Sequence, residues 1–155
     1  MPAMTMAQGV ALSSRMFAQI GVTLDWRMPG KECPNGAIRI SPTFDTPVKL
    51  KPGAMAFALP YEGTYIRVFA DRVVSYQGKQ QAGLVLGHVM AHEITHILEG
   101  VARHSETGVM KAHWDREDNR LMVWKPLAFA KEDVELIHVS LAARHGETPA
   151  LVAVE

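Results

Sequence analysis

Apolar residues recur along this chain with two different periods, and the switches between them mark out its elements. Within residues 3–20, Met6, Val10, Ala11, Ser14, Phe17 and Ala18 fall at spacings of three and four, with Gly21 following as a stop. That period predicts an amphipathic helix. Residues 22–27 then alternate apolar and polar side chains, as a half-buried strand does, and residues 37–41 repeat the alternation in a second strand. Residues 55–60 predict a short third strand whose terminal Pro60 suits a sheet edge better than its centre. Residues 65–70 predict a fourth. Pro29, Gly30, Pro34 and Gly36, then the proline-rich run 42–53, mark loops, and residues 61–64 have turn character.

Residues 80–99 carry the longest helical pattern. Counting about 100° per residue from His92, the side chains of Leu86, Met90 and Ile97 fall on the far side, with Ile94 near them. An apolar face is thus expected to pack on the sheet while a histidine-bearing face looks into a cleft. Residues 101–125 are irregular, with Trp114, Leu121, Met122 and Trp124 among many charges, and predict turns plus one short helical or extended piece. The last clear element is a helix built on Val134, Ile137, Leu141 and Arg144. Glu132 and Asp133 suit its positive end, Arg144 and His145 its negative end, and Gly146 its stop. The tail after Pro149 is expected to be ordered only if it docks.

Composition narrows the function classes. At 155 residues and 48% hydrophobic content the chain suffices for one cored domain, residues 1–155, and is short for two. Sixteen basic and 16 acidic side chains cancel, and no stretch gathers Lys and Arg as a phosphate-binding face does, so nucleic acid is not an expected partner. No run reaches the roughly 18 apolar residues needed to cross a bilayer, so no membrane partner is expected. The first residues lack the basic flank and apolar block of a secretory signal. The chain as written therefore reads as soluble and cytoplasmic, and as secreted if a leader was trimmed from a precursor. Cys33 is the single cysteine, which excludes an intrachain disulfide and any zinc knuckle built on cysteines.

The chemistry is concentrated in the stretch His88-Val-Met-Ala-His92-Glu93-Ile-Thr-His96-Ile-Leu-Glu99-Gly100 and the turn-rich segment that follows. On a helix, His92 and His96 share a face and are separated by about 6 Å of axial rise, so their imidazoles can converge on one ion. Zinc held by imidazole nitrogens at about 2.0–2.1 Å needs a third protein ligand and an open position to act on water. His104, just beyond the helix stop at Gly100, is the nearest candidate. Glu93 points about 100° away from His92, on the flank of the same face, where a carboxylate can act as general base. This is the H-E-x-x-H arrangement of zinc hydrolases. Pairing His88 with His92 instead would leave Val89 where a base is needed. Glu99 is a lower-ranked alternative ligand, nothing local favours Glu132 or Glu135, and His113 reads as exposed or supporting.

The order of helix, strands, motif helix, third histidine, methionine turn and final helix resembles the catalytic domain of metzincin zinc peptidases. The residues that carry the likeness are His92-Glu93-x-x-His96, Gly100, and His104-Ser-Glu-Thr-Gly-Val-Met110. The resemblance implies zinc on three histidines, a peptide or protein substrate, Met110 as a hydrophobic floor beneath the metal, and a substrate lying extended along the strand edge Ala56, Phe57, Ala58 and Leu59. It also shapes the expected fold: α+β, with a mixed, mostly parallel sheet of about four strands and an antiparallel edge strand, packed by the N-terminal and motif helices, plus a C-terminal helix. Two departures stand out. Seven residues separate His96 from His104 where the family pattern has five, and Gly100 comes one position later. A longer loop costs little entropy, so the third imidazole can still return to the ion. No Tyr follows two residues after Met110. Two other readings compete: a non-peptidase hydrolase similar to the single-domain bacterial endoribonucleases that mature ribosomal RNA, and a module that holds zinc without turnover.

Overall fold

A computed structural model describes residues 1–27, 31–47, 53–58 and 64–144, together with the backbone of 151–154. Helix α1 (Ala3–Ala18) buries Thr5, Gly9, Leu12, Ser13, Met16 and Phe17. That stripe is rotated from the expected one, of which only Phe17 is buried. The reason lies in the partner helix α3 (Ala82–Glu99). A Cβ on Gly9 would lie 2.7 Å from Leu86 Cδ2, and a Cβ on Gly87 would lie 2.7 Å from Leu12 Cβ. Reciprocal glycines let each helix receive the other's leucine, a closeness that hydropathy alone does not register.

The sheet contains five strands in the order β1-β5-β2-β4-β3: β1 (Asp25–Arg27), β5 (Leu151–Val154), β2 (Ile38–Thr43), β4 (Tyr65–Phe69) and β3 (Ala56–Ala58). β2 runs parallel to both β4 and β5, with Ile40 opposite Ile66 and Ile38 opposite Val152; β5 is also parallel to β1. β3 is antiparallel to β4, with Phe57 opposite Arg67. The fold is therefore α+β with a mixed sheet, but the strand number exceeds the expected four. The tail supplies the extra strand, pairing between β1 and β2. Such non-local pairing leaves no trace in local alternation. The first predicted strand is also shorter, since Val22 and Leu24 are buried ahead of β1 rather than within it. Pro60 and the predicted 61–64 turn, apart from Thr64, lie outside the described residues.

β4 passes directly into helix α2 (Ala70–Tyr76), which periodicity did not predict, and the chain then enters α3. The irregular stretch after α3 resolves into helix α4 (Arg116–Trp124). Asp115 caps it, accepting from Glu117 and Asp118 N–H groups at 2.8 and 3.0 Å, while Asp118 accepts from the Asp115 N–H at 2.9 Å. This reciprocal box is a sequence-local start signal. Helix α5 (Lys131–Arg144) follows as expected; its predicted stop at Gly146 lies outside the described residues.

Helix α3 touches α1, α2, α4, α5, β3 and β4, and every residue on it except Leu84 and His92 is buried. The histidine-bearing face lines a cavity as expected, but the rest of the helix is enclosed on nearly all sides rather than along one apolar stripe, as a largely apolar central helix must be. Its polar side chains are consequently placed where each needs a partner. Thr95 donates to Ala91 O at 2.8 Å. His88, fully buried, donates from Nδ1 to Leu84 O at 2.8 Å, and its Nε2 accepts from the Leu127 N–H at 3.1 Å. That explains His88 as a buried strut between α3 and the segment ahead of α5. Among the described residues no helix is long and apolar enough to cross a membrane.

Candidate metal centre

The helical period places His92 and His96 one turn apart, with ring centroids 4.7 Å from each other and their Nε2 atoms 3.0 Å apart. Gly100 ends α3 in the left-handed conformation, its N–H bonding to His96 O at 3.0 Å, and the chain turns back. His104 then reaches the pair, its ring centroid 5.2 Å from that of His92 and 5.0 Å from that of His96. One ligating nitrogen from each ring lies within 4.8 Å of the others, and this is the single such cluster among the described residues. The loop two residues longer than the family pattern therefore closes on the same point.

Main-chain carbonyls orient the two helical rings. His92 Nδ1 lies 2.9 Å from Val109 O, and His96 Nδ1 lies 3.3 Å from Val101 O. With Nδ1 donating in each ring, both Nε2 atoms are bare acceptors, and two lone pairs 3.0 Å apart repel unless a cation lies between them. A tetrahedral ion with bonds of about 2.0–2.1 Å would set its ligand nitrogens about 3.3–3.4 Å apart, close to the spacing present. Burial, reinforced by the neighbouring His96, pushes His92 down to about 3. Burial and then His104 push His96 down to about 4. Both imidazoles are therefore neutral near pH 7, which is the form that binds metal. A donor set of imidazoles without thiolate suits zinc, copper, nickel or iron.

Glu93 is buried beside the triad, where burial raises its carboxyl to about 8 despite a hydrogen bond from the Ala58 N–H. A bound cation would draw that value back down toward neutrality. The Ala58 contact ties the motif helix to the sheet edge, and a cavity of about 410 Å³ lies between them. Ala56, Phe57 and Ala58 line it together with His92, Glu93, His96 and His104; Leu59 lies outside the described residues. Phe69 N–H donates to Met55 O at 2.8 Å, so 55 with 69 and 57 with 67 are the hydrogen-bonded pairs of this ladder. The main-chain groups of Ala56 and Ala58 consequently face the open side of β3.

The other expected residues are placed as follows. Met110 is fully buried in the core and does not line the cavity, while its carbonyl accepts from the Ser105 N–H at 2.9 Å. Glu99 turns to Arg103, 3.5 Å away, and is not part of the histidine cluster. His113 is exposed at the cavity lining, and Glu132 and Glu135 are exposed on α5. Sequence reasoning passed over several residues that shape the site. Trp114 Nε1–H donates to the same Val109 carbonyl that holds His92, at 3.1 Å. Lys111 bonds Asp115 at 2.6 Å and also Asp118, fastening the segment after Met110 to the start of α4. Asp133, read only as a favourable charge at a helix start, is wholly buried. Only the Asp115 cap had a local signal. Comparison with protein families, curated proteins and solved structures finds no match for this chain.

Proposed function

We propose that this protein is a zinc-dependent peptidase of compact metzincin-like design, in which His92, His96 and His104 would hold the ion and Glu93 is the general base. One observation carries the reading: two carbonyl-oriented imidazoles present bare Nε2 atoms to each other, with a third imidazole and a buried carboxyl at the same cavity. When bound, the ion supplies Lewis acidity, lowering the pKa of water toward about 7 and polarising the scissile carbonyl. Glu93 takes the proton that water gives up as its oxygen bonds to the carbonyl carbon. It delivers that proton to the amine nitrogen as the carbon–nitrogen bond breaks. The Ala58 N–H holds the Glu93 carboxyl toward the sheet edge. The outward main-chain groups of Ala56, with the Ala58 carbonyl, offer an extended peptide the hydrogen bonds of an added strand. Met110 belongs to the buried core, and its carbonyl ties down Ser105, the residue after His104.

The test combines elemental analysis with cleavage of an unstructured protein, with and without chelator. Glu93→Gln is expected to keep one zinc per chain while turnover falls by about 100-fold or more. Retained turnover in that variant would remove the general-base role. Metal without cleavage of any peptide would favour a metal-holding module, and absence of metal would reject the site altogether.

A further inference from the structure

His92 and His96 are positioned by a helix, whereas His104 sits exposed on the loop behind it. An exposed loop imidazole must be ordered before it can ligate, so whatever holds the loop sets how well the third ligand is presented. Both neighbours of His104 are held by one side chain. Asp133 Oδ1 accepts from Arg103 Nη2 at 2.7 Å and from Ser105 Oγ at 2.5 Å. Arg103 Nη1 also donates to Ser105 Oγ at 3.1 Å, closing a triangle around the backbone of residue 104. The other oxygen, Oδ2, accepts from the Ala130 N–H at 3.0 Å, which anchors the carboxylate to the start of α5. Arg103 Nε faces Glu99, the last residue of α3, so the guanidinium spans from the motif helix to α5. The side chains of Asp133 and Glu99 are both fully enclosed, and that of Arg103 is 28% exposed.

We infer that Asp133 is a positioning residue for the third metal ligand, clamping Arg103 and Ser105 on either side of His104; the inference rests on the metal-site reading above. A loop ligand is thereby held through its neighbour Arg103 by a carboxylate that lies 30 residues from that arginine in sequence. Supporting residues of this kind govern metal affinity by about 10–100-fold when removed.

The experiment is a double-mutant cycle on zinc affinity. Competition titration with a chromophoric chelator would be run on the full chain, on Asp133→Asn, on His104→Ala and on the double variant. Asp133→Asn is expected to weaken zinc by about 10–100-fold in the otherwise native chain and by less than about twofold when His104 is already absent. Cobalt(II) substitution gives an independent readout. Asp133→Asn should lose the intense visible bands of the tetrahedral ion, as His104→Ala does. Equal losses of zinc affinity in both backgrounds, or unchanged affinity and cobalt spectrum, would overturn the assignment. If Asp133→Asn does not fold, Ser105→Ala enters the same cycle under the same criteria, with Ser105→Thr expected to restore binding. Failure of the native chain itself to bind zinc would instead reject the metal site on which the inference stands.

Discussion

Replacing Gly108 by alanine probes the ligand loop at its tightest point. Gly108 has φ of +75°, and an added Cβ would lie 2.1 Å from the Ala128 carbonyl oxygen. That oxygen already accepts from the Val109 N–H at 2.9 Å. The Val109 carbonyl in turn holds His92 Nδ1 at 2.9 Å and Trp114 Nε1 at 3.1 Å. An alanine in the left-handed region costs about 1–2 kcal/mol. Loss of the Val109–Ala128 hydrogen bond adds about 1 kcal/mol. Moving packed backbone out of the overlap adds about 1–3 kcal/mol. Gly108→Ala should therefore lower the free energy of unfolding by about 3–6 kcal/mol, a size expected only for strain or core damage. Displacing the Val109 carbonyl should also weaken zinc by about tenfold or more, because His92 loses its orienting acceptor. Urea unfolding of the metal-free variant and a zinc competition titration measure the two effects. An unfolding free energy within about 1 kcal/mol of the native chain, with zinc affinity unchanged, would refute the claim that this turn is sterically closed.

Gly87→Val should lower the melting temperature, since its Cβ would already overlap Leu12 and the added methyls have no room between α1 and α3; overpacking of this kind costs about 1–3 kcal/mol. A melting temperature equal to or above that of the native chain would show that the helices can part cheaply. The metal-free protein should also show an unusual pH dependence. His92 and His96 titrate below their ordinary value of 6.5, at about 3 and about 4, so their contribution is present above about pH 6.5 and fades as pH falls toward those values. Glu93 and Glu99 titrate above their ordinary value of 4.5, at about 8 and about 7, chiefly through burial, so their contribution is present below about pH 4.5 and fades as pH rises through those values. Urea midpoints in chelator should thus be highest between about pH 5 and 6.5 and fall on both sides. Greater stability of the chelated protein at pH 8 than at pH 6 would contradict the buried state of the two carboxyls.

What the sequence determined by itself was local. The spacing of His92, Glu93 and His96 follows from the helical period, Gly100 marks where the helix must stop, and the alternation at residues 37–41 is the signature of a strand whatever lies beside it. The Asp115–Asp118 box is local too, a cap made of residues three apart, yet the apolar period that makes residues 101–125 look irregular passes over it. Tertiary structure decided the rest. It rotated α1 so that Gly9 faces Leu86, brought the tail between β1 and β2, aimed the Ala58 N–H at Glu93, and enclosed Asp133 between Arg103 and Ser105. Each of these joins groups far apart in the chain, and its energy depends on whether both are withdrawn from water together. That condition does not exist until the chain has folded, so no local period carries it.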